Sequence, residues 1–342
     1  MGEDRYEAAM GGLLGAFVGD ALGLGCHWYY DLGELRSDYG DWISNYSTSK
    51  PDRKDRFGSI AKLRYEAGLR AGDLSQTGEV TMHLLESVAM RGGYDPDDFT
   101  SRLDTLLATL DGSPFSGRYT DRAMRDVWKQ RRAGMAWPHA GSLTDTAEAA
   151  IRSVVLAARY YDDPECLARE AHRNILLTHR DRYIAGLSLT FCLTLSGLIK
   201  GIPLSGMRGH LSELAEKDVI KGLVPSFDAL IQVGNGAVAA SLPLQIEPAS
   251  LVCSLYGLPC ALVFMLPAAY YLVHRYPDDF ETAVLSAVNG GGNNMARAAL
   301  TGALSGAMVG IKGIPERLLS GLKDGDRLLA LAQKVATKKG EA

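Results

Sequence analysis

Apolar residues recur along this chain at intervals of three and four positions, the spacing that places them on one face of an α-helix. Val80, Leu84 and Val88 share such a face, and a broader face runs from Ala149 to Tyr161. The alternation of apolar and polar residues that is typical of strands is nearly absent. The pattern therefore predicts an all-α fold. The predicted helices span about 6–26, 76–91, 97–110, 120–131, 144–161, 164–176, 181–199, 208–217, 259–274, 278–289, 294–310, 315–322 and 325–337.

The segments between these helices read as turns and loops. Glycine and proline cluster at 92–93, 111–114 and 201–203, where such residues interrupt helices. Residues 44–56 are polar and lack helical periodicity, which predicts a surface loop. Since no segment resembles a linker, we expect one compact domain over residues 1–342.

Two of the predicted helices carry a glycine at every fourth position. The glycines are Gly11, Gly15, Gly19 and Gly23 near the start of the chain, and Gly302, Gly306 and Gly310 near its end. Each glycine inside a helix costs about 1 kcal/mol relative to alanine, so close helix packing has to offset that loss. We predict that these two helices are central neighbours and that the residues at their ends meet.

Two apolar segments raise the question of a membrane span. Residues 258–273 contain Pro259 and Pro267, and residues 183–199 are interrupted by hydroxyl side chains. Both are interpreted as buried core helices, so no membrane is expected. The acidic start of the chain lacks the basic region of a signal peptide.

Charge and cysteine content exclude several further classes. The net charge of -4 gives no general attraction to polyanions, so no nucleic-acid partner is expected. The five cysteines are widely spread and include no CxxC pair. We therefore predict neither a disulfide framework nor a zinc site. We predict a cytoplasmic location.

The sequence at the two glycine-rich helices resembles a known family. Residues 19–23 read GDALG, and residues 290–294 read GGGNN ahead of a helix of small residues. This pairing resembles the ADP-ribosylglycohydrolase family, whose members open with a GDALG-type helix and close with a GGDTDT motif. The resemblance spans nearly the whole chain, including Thr178-His179 and the residues around Arg152.

Within that family the chain looks most like the J-crystallin and selenoprotein J branch. Residues 27–31, which read HWYYD, resemble that branch's HW-aromatic-YD signature. Residues 291–297 resemble its GGDNxxR closing motif, and Tyr119-Thr120-Asp121 its tyrosine-rich central segment.

The resemblance implies hydrolysis of a glycosidic bond to ADP-ribose, with two magnesium ions held by a Thr-Asp-Asp run and an Asp-x-Asp-Thr run. In this chain the first run falls on residues 75–77 (SQT) and the second on residues 293–296 (NNMA). A glutamate common after GDALG falls on His27. Magnesium needs oxygen ligands and carboxylate charge, and a thioether is a poor ligand for it. We therefore predict no bound metal and no cofactor.

Polar residues that the resemblance brings to the cavity could still do chemistry without metal. Glycoside cleavage needs an acid and a carboxylate on opposite sides of the bond. The candidate catalytic residues are Asp121, Asp145, Glu79 and His27, the last as a general acid. The candidate substrate-binding residues are Ser75, Gln76, Thr77, His179, Asn293, Asn294 and Arg297, with Arg297 proposed to pair with a diphosphate.

Each candidate also has a structural interpretation. Ser75 and Asn293 are suited to cap the helices that follow them, and Glu79 to interact with a helix dipole. His27 and His179 can equally be buried hydrogen-bonded residues. Asp20, inside the first glycine-rich helix, is interpreted as a buried aspartate bonded to backbone rather than as a catalytic one.

Two functions remain open at this point. The first is an enzyme: a divergent hydrolase that cleaves an N-glycosidic bond in an ADP-ribose-like or nucleoside-like small molecule without paired magnesium. The second is a non-catalytic protein of the same fold, either nucleotide-binding or crystallin-like. The polar character of the substituted positions favours the enzyme. The sequence does not indicate an oligomeric state.

Overall fold

The computed structural model describes residues 2–110, 121–224, 230–231 and 245–337, and these residues form helices without an extended strand. The all-α prediction is therefore confirmed. The helices are α1 (Gly2–Gly25), α2 (Leu32–Tyr39), α3 (Gly58–Glu66), α4 (Gln76–Arg91), α5 (Pro96–Ala108), α6 (Arg122–Arg132), α7 (Glu148–Arg152), α8 (Val154–Tyr160), α9 (Pro164–Ile175), α10 (Arg182–Ile199), α11 (Leu204–Ala215), α12 (Asp218–Leu223), α13 (Val252–Tyr256), α14 (Leu262–Arg275), α15 (Phe280–Asn289), α16 (Asn294–Val309), α17 (Glu316–Ser320) and α18 (Gly325–Ala336).

Helices α1 and α16 cross at the centre of the molecule with their backbones in contact. A Cβ atom added to Gly15 would lie 2.1 Å from the carbonyl oxygen of Gly302, and one added to Gly11 would lie 2.1 Å from that of Gly306. No side chain fits at such distances, so the glycines are required by the approach itself. The prediction that the two glycine-rich helices are neighbours is confirmed.

The apolar helices are interior elements. Helices α1 and α10 are long and apolar enough to cross a membrane by composition alone, but 100% and 89% of their most apolar windows are buried inside the fold. Nearly every residue of α14 from Leu262 to Val273 is buried as well. Their interpretation as core helices agrees with this burial.

The helix predicted over 144–161 is wrong at its start and in its continuity. Residues 142–146 are extended, and the helical segments α7 and α8 follow, separated at Ser153. The extended backbone bonds outside the helix: Leu262 N donates to Asp145 O at 2.7 Å. These tertiary partners override the local helical pattern.

Several short helices were not predicted, namely α2, α3, α12 and α13. Segments of five to nine residues contain too few turns for a periodic pattern to stand out. The loop predicted over 44–56 contains no helix. Part of this loop is buried, because the Arg53 side chain is only 4% exposed. The predicted turn at 111–114 lies outside the described residues.

Candidate functional site

The C-terminal end of α1 and the N-terminal end of α16 meet at the glycine turn that precedes α16. His27 Nδ1 lies 3.1 Å from Asn294 Oδ1. Trp28 N donates to Gly292 O at 3.0 Å, and Gly292 N donates to Tyr29 O at 2.6 Å. The expectation that the ends of the two glycine-rich helices converge is confirmed.

The side-chain amide of Asn294 is fully buried and bonded inside the protein. Its Nδ2 donates to Cys26 O at 3.2 Å and to Val288 O at 3.1 Å, while Oδ1 faces His27. An amide offers two N–H donors and one carbonyl acceptor, and all three groups have partners here. Asn294 therefore links α1 to α15 and α16.

Arg297 is also fully buried, beneath the glycine turn. Its Nη1 donates to Ala287 O at 3.2 Å and to Gly291 O at 3.0 Å. With 0% of the residue exposed, the guanidinium does not reach the surface, where a diphosphate would first meet the protein. Its contacts instead fix the turn that carries Asn293.

Burial and three nearby arginines keep His27 neutral. Burial holds the pKa of His27 well below its usual range, and the charges of Arg64, Arg53 and Arg297 lower it further. Arg53 Nη1 donates to His27 O at 2.9 Å. A neutral imidazole near three cations cannot act as a charged general acid at neutral pH.

An aromatic cluster lies against His27. The rings of His27 and Trp28 stack with centroids 4.9 Å apart, and the Trp28 and Phe57 centroids are also 4.9 Å apart. Trp28 has a φ of 68°, a left-handed conformation that strains a bulky residue. Such strain persists where the surroundings over-determine it, which is common at functional sites.

Ser75 and Asp20 form a buried junction between α4 and α1. Ser75 Oγ accepts from Gly78 N at 3.2 Å and donates to Asp20 Oδ1 at 2.5 Å, and Ser75 N donates to Asp20 Oδ2 at 2.8 Å. Burial raises the pKa of Asp20 to about 6, although the hydrogen bonds from Ser75 lower it. Ser75 therefore caps α4 as predicted, and Asp20 is buried and bonded to backbone as predicted.

Gln76 connects this junction to the N-terminus of α6. Asp121 N donates to Gln76 Oε1 at 3.0 Å, and Gln76 is only 2% exposed. Thr77 is 5% exposed in the same turn of α4. Gln76 and Asp121, predicted to share one site, are therefore in direct contact.

Asp121 is a buried carboxyl that caps α6. Its Oδ1 accepts from Ala123 N at 2.8 Å and from Thr146 Oγ1 at 3.1 Å. Burial, followed by the negative charge of Glu148, raises its pKa to about 6. Tyr119 and Thr120, which precede it, lie outside the described residues.

His179 lies behind Asp121, away from solvent. Its Nε2 is 2.9 Å from Thr146 Oγ1 and its Nδ1 is 2.9 Å from Thr178 Oγ1. The residue is 0% exposed. Burial and then the charge of Arg152 lower its pKa to about 3. The imidazole is therefore neutral at physiological pH.

Three extended segments hold this part of the site in place. Ser142 N donates to Thr178 O at 2.8 Å, and Arg180 N donates to Ser142 O at 2.7 Å. On the other side, Thr146 forms a bridge with Ala261. The segment 142–146 is thus clamped between the segments around 179 and 261, which sets the position of Thr146 next to Asp121.

The remaining candidates lie further out. Asp145 is exposed, and its charge and that of Asp121 both act on Cys260. Glu79 lines a groove of about 300 Å³ together with His83.

Asn293 occupies the N-cap position of α16, but its side chain makes no capping bond. Its Oδ1 is buried and has no hydrogen-bond partner among the described residues. The capping role considered for Asn293 is therefore not realised, and that oxygen remains available to a donor.

Three buried residues of the site were not predicted to take part: Thr146, Glu148 and Arg152. Arg152 Nη1 donates to Glu148 Oε2 at 2.5 Å, with side chains 0% and 1% exposed. A glutamate and an arginine at positions i and i+4 inside an otherwise apolar helical face were the available signal. Thr146 gave none, because its position depends on long-range backbone contacts.

A ready-made cluster of metal ligands is not found in the part of the chain that is described. Across residues 2–110, 121–224 and 245–337, no three side chains of His, Cys, Asp or Glu are grouped as metal ligands. The described polar groups at residues 75, 76 and 294 instead bond to other parts of the protein.

Comparison with known proteins places this geometry in context. The sequence pattern of the family described as ADP-ribosylglycohydrolase matches residues 1–342. An uncharacterized protein of Archaeoglobus fulgidus is 24% identical over 325 residues, covering 94% of each chain. A solved structure described as an ADP-ribosylglycohydrolase-related protein complex superposes with a TM-score of 0.69 at 23% identity, covering 98% of each chain. The last likeness supports the common all-α fold.

Proposed function

Since the chain belongs to the ADP-ribosylglycohydrolase family, we propose that it is a divergent hydrolase of that family. Its substrate is an ADP-ribose-like or nucleoside-like small molecule, and the bond cleaved is N-glycosidic. Side-chain acid–base chemistry replaces the paired magnesium ions. The single observation that carries this proposal is the buried Asp121 carboxyl, whose pKa is raised to about 6.

The donors at the family's metal positions do not fit two magnesium ions. Ser75 Oγ is bonded to Asp20 and Gln76 Oε1 to the backbone at Asp121. Asn294 is saturated by α1 and α15. Uncharged oxygens already engaged in hydrogen bonds cannot neutralise two dications.

Asp121 has the properties of a general acid and base. A pKa near the operating pH lets a carboxyl be protonated in one step and ionised in the next. With a pKa of about 6, both forms of Asp121 are populated between pH 5 and 7. Asp145, exposed on the neighbouring segment, supplies the second carboxylate that glycoside cleavage needs.

The other predicted catalytic groups take lesser parts. His27 is held neutral by burial and three arginines, and we assign it to positioning Asn294 and the glycine turn. Glu79 lines a groove with His83 and is left out of the chemistry. Thr77 and Asn293 remain the substrate-binding candidates, Asn293 because its Oδ1 has no partner among the described residues.

The setting in which we propose this activity follows from the sequence. All five cysteines are free thiols, which suits a reducing cytoplasm. We also propose that the chain is one domain, that it belongs to the J-crystallin branch of the family, and that its reaction uses no metal and no cofactor.

A non-catalytic function is the alternative. It is favoured by the complete burial of Asn294 and Arg297, which removes two of the predicted ligand contacts from the surface of the site. A crystallin-like or nucleotide-binding protein could retain this fold without turnover.

The test is hydrolysis of a defined substrate panel. ADP-ribosyl-arginine, ADP-ribosyl-serine, NAD and simple nucleosides are incubated with the full chain, with magnesium or with a chelator, and products are followed by mass spectrometry. We expect turnover that persists in chelator and is lost in Asp121→Asn. The exposed Asp97→Asn is the matched control and keeps full activity. No turnover of any substrate, or full activity of Asp121→Asn, contradicts the proposal.

A further inference from the structure

A continuous row of buried side chains runs from α7 to Asp121. Arg152 Nη1 donates to Thr178 Oγ1 at 2.8 Å. Thr178 Oγ1 lies 2.9 Å from His179 Nδ1, His179 Nε2 lies 2.9 Å from Thr146 Oγ1, and Thr146 Oγ1 lies 3.1 Å from Asp121 Oδ1. No residue in this row is more than 7% exposed.

We propose that Glu148 and Arg152 are positioning residues for Asp121, acting through the hydrogen-bonded row of Thr178, His179 and Thr146. This inference rests on the proposed function, in which Asp121 is the acid and base. The row fixes which oxygen of Asp121 carries the acid proton.

Arg152 sets the direction of the row. A guanidinium only donates hydrogen bonds, whereas a threonine hydroxyl has one proton to donate. Since Thr178 Oγ1 accepts from Arg152, its proton goes to a neighbouring acceptor. His179 Nδ1 at 2.9 Å is nearer than Glu148 Oε2 at 3.3 Å.

The same reasoning continues to the carboxyl. With Nδ1 accepting, a neutral His179 carries its proton on Nε2 and donates it to Thr146 Oγ1. Thr146 then donates to Asp121 Oδ1, which also accepts from Ala123 N. Because Thr146 and Ala123 both donate to Oδ1, an added proton resides on Oδ2. Asp121 is thereby oriented as an acid with one defined donor atom.

Glu148 completes the row from the other end. Its Oε2 accepts from Arg152 Nη1, which neutralises the arginine in the interior. Its negative charge also raises the pKa of Asp121, after the larger effect of burial. His179 does not join in by ionising, because its pKa is about 3. The row therefore transmits orientation, while Glu148 acts through its charge.

Other charges near Asp121 act on it from several elements. Arg125 on α6 lowers its pKa, and Cys260 feels the charges of both Asp121 and Asp145. The titratable and charged groups on the elements around Asp121 are Arg122, Arg125, Asp145, Glu148, His179 and Cys260. Of these, only His179 is connected to it through Thr146.

The first test reads the row in the unaltered full chain. Nitrogen-15 NMR of the histidine side chains distinguishes the two neutral tautomers, and the His179 signal is assigned by its loss in His179→Gln. We expect His179 in the Nε2–H form across pH 6 to 8. The Nδ1–H form would reverse the row and overturn the inference.

The second test titrates the Asp121 carboxyl by carbon-13 NMR in three variants of the full chain. Thr146→Val removes the hydroxyl that donates to Asp121, so the midpoint rises by about one pH unit. Glu148→Gln removes a negative charge, so the midpoint falls by a similar amount. Thr144→Val is the matched control, because Thr144 Oγ1 is buried without a partner among the described residues; its midpoint stays unchanged.

Two features of this design separate it from related failures. Thr146→Ser restores the hydroxyl, and its midpoint returns to that of the unaltered chain; a purely structural role for Thr146 would not produce this return. The titration needs no substrate. If no substrate is hydrolysed, the proposed function is overturned, but the Asp121 titration midpoints can still be measured and still test the row. Equal midpoints in Thr146→Val and Thr144→Val overturn the row, and an unchanged or higher midpoint in Glu148→Gln overturns the role of its charge.

Discussion

The site has two halves whose polar side chains are engaged in different ways. The amide half consists of Ser75, Asn294 and their partners Asp20 and His27; the acid half consists of Asp121, Asp145 and the residues behind them. In the amide half the Ser75 hydroxyl, the Asp20 carboxyl and the Asn294 amide are bonded between helices. In the acid half a buried carboxyl is held with both donors on one oxygen. A residue whose bonding capacity is used within the fold contributes stability, whereas one kept partly unbonded is available for chemistry.

The largest expected effect is the loss of the amide link between α1 and α16. Asn294→Leu leaves His27 Nδ1, Cys26 O and Val288 O without this partner, which we expect to lower the free energy of unfolding by about 3–5 kcal/mol. Urea denaturation followed by circular dichroism measures it.

The adjacent Asn293→Ala is the control for that measurement. Asn293 makes no capping bond, so its replacement is expected to change the free energy of unfolding by less than about 1 kcal/mol. Equal losses in the two variants would mean that burial alone, and not the hydrogen-bonded link, stabilises this half.

The acid half should respond in the opposite direction. Burial raises the Asp121 pKa to about 6 from 3.8, so the folded state disfavours the ionised form. Stability from this group is present below pH 3.8 and is lost as pH rises through 6. Asp121→Asn keeps a capping oxygen and is expected to raise the free energy of unfolding by about 1–3 kcal/mol at pH 7 and by none at pH 3.

The comparison variant is Asp145→Asn, whose side chain is exposed and should leave stability unchanged at both pH values. Destabilisation by Asp121→Asn at pH 7 would show that the charge of Asp121 is itself needed for folding. The polar groups of both halves would then contribute to stability in the same way.

Acidification tests the residues behind Asp121. His179 has a pKa lowered from 6.5 to about 3, so its contribution to stability is complete above pH 6.5 and is lost as pH falls toward 3. We expect up to about 1.4 kcal/mol per pH unit from this group. The slope of unfolding free energy against pH should be smaller in His179→Gln, and unaltered in His139→Gln, because His139 is exposed to solvent.

Magnesium should have the smallest effect. With the amide half bonded internally, adding the ion to about 10 mM is expected to leave the unfolding temperature unchanged, because only ligands that bind the folded state raise it. A chain carrying Gln76→Asp, Thr77→Asp, Asn293→Asp and Met295→Asp supplies the missing carboxylates and is the positive control. A rise in the unaltered chain would contradict the metal-free proposal.

The central helix pair could be predicted from the sequence, and the acid half only in part. Glycine at every fourth residue of a helix indicates close packing against another backbone, whatever the rest of the sequence is. The contact between Gly15 and Gly302 could therefore be predicted from these glycines alone. Asp121 was named as a candidate through a family resemblance. Its connection to Thr146 and His179 was not predicted.

The reason lies in the backbone between residues 142 and 146. Its hydrogen bonds go to the segments near 179 and 261, which are far away in sequence, and no local pattern encodes such partners. The apolar positions after Ala149 favoured a helix that also included 144–147. The burial of Asn294 and Arg297 could not be predicted for a related reason: in the sequence an amide and a guanidinium look equally polar whether they face a cavity or a buried turn.

The pairing of α1 with α16 has a consequence for how the protein is made. The partners His27 and Asn294 are separated by 267 residues, so α1 leaves the ribosome long before its neighbour exists. At about 5–20 residues per second, that interval lasts roughly 13–53 s. During synthesis the glycine-lined face of α1 has no partner, and the nascent chain depends on chaperones or on its own transient collapse. C-terminal truncations that remove α16 should therefore aggregate rather than leave a smaller folded core.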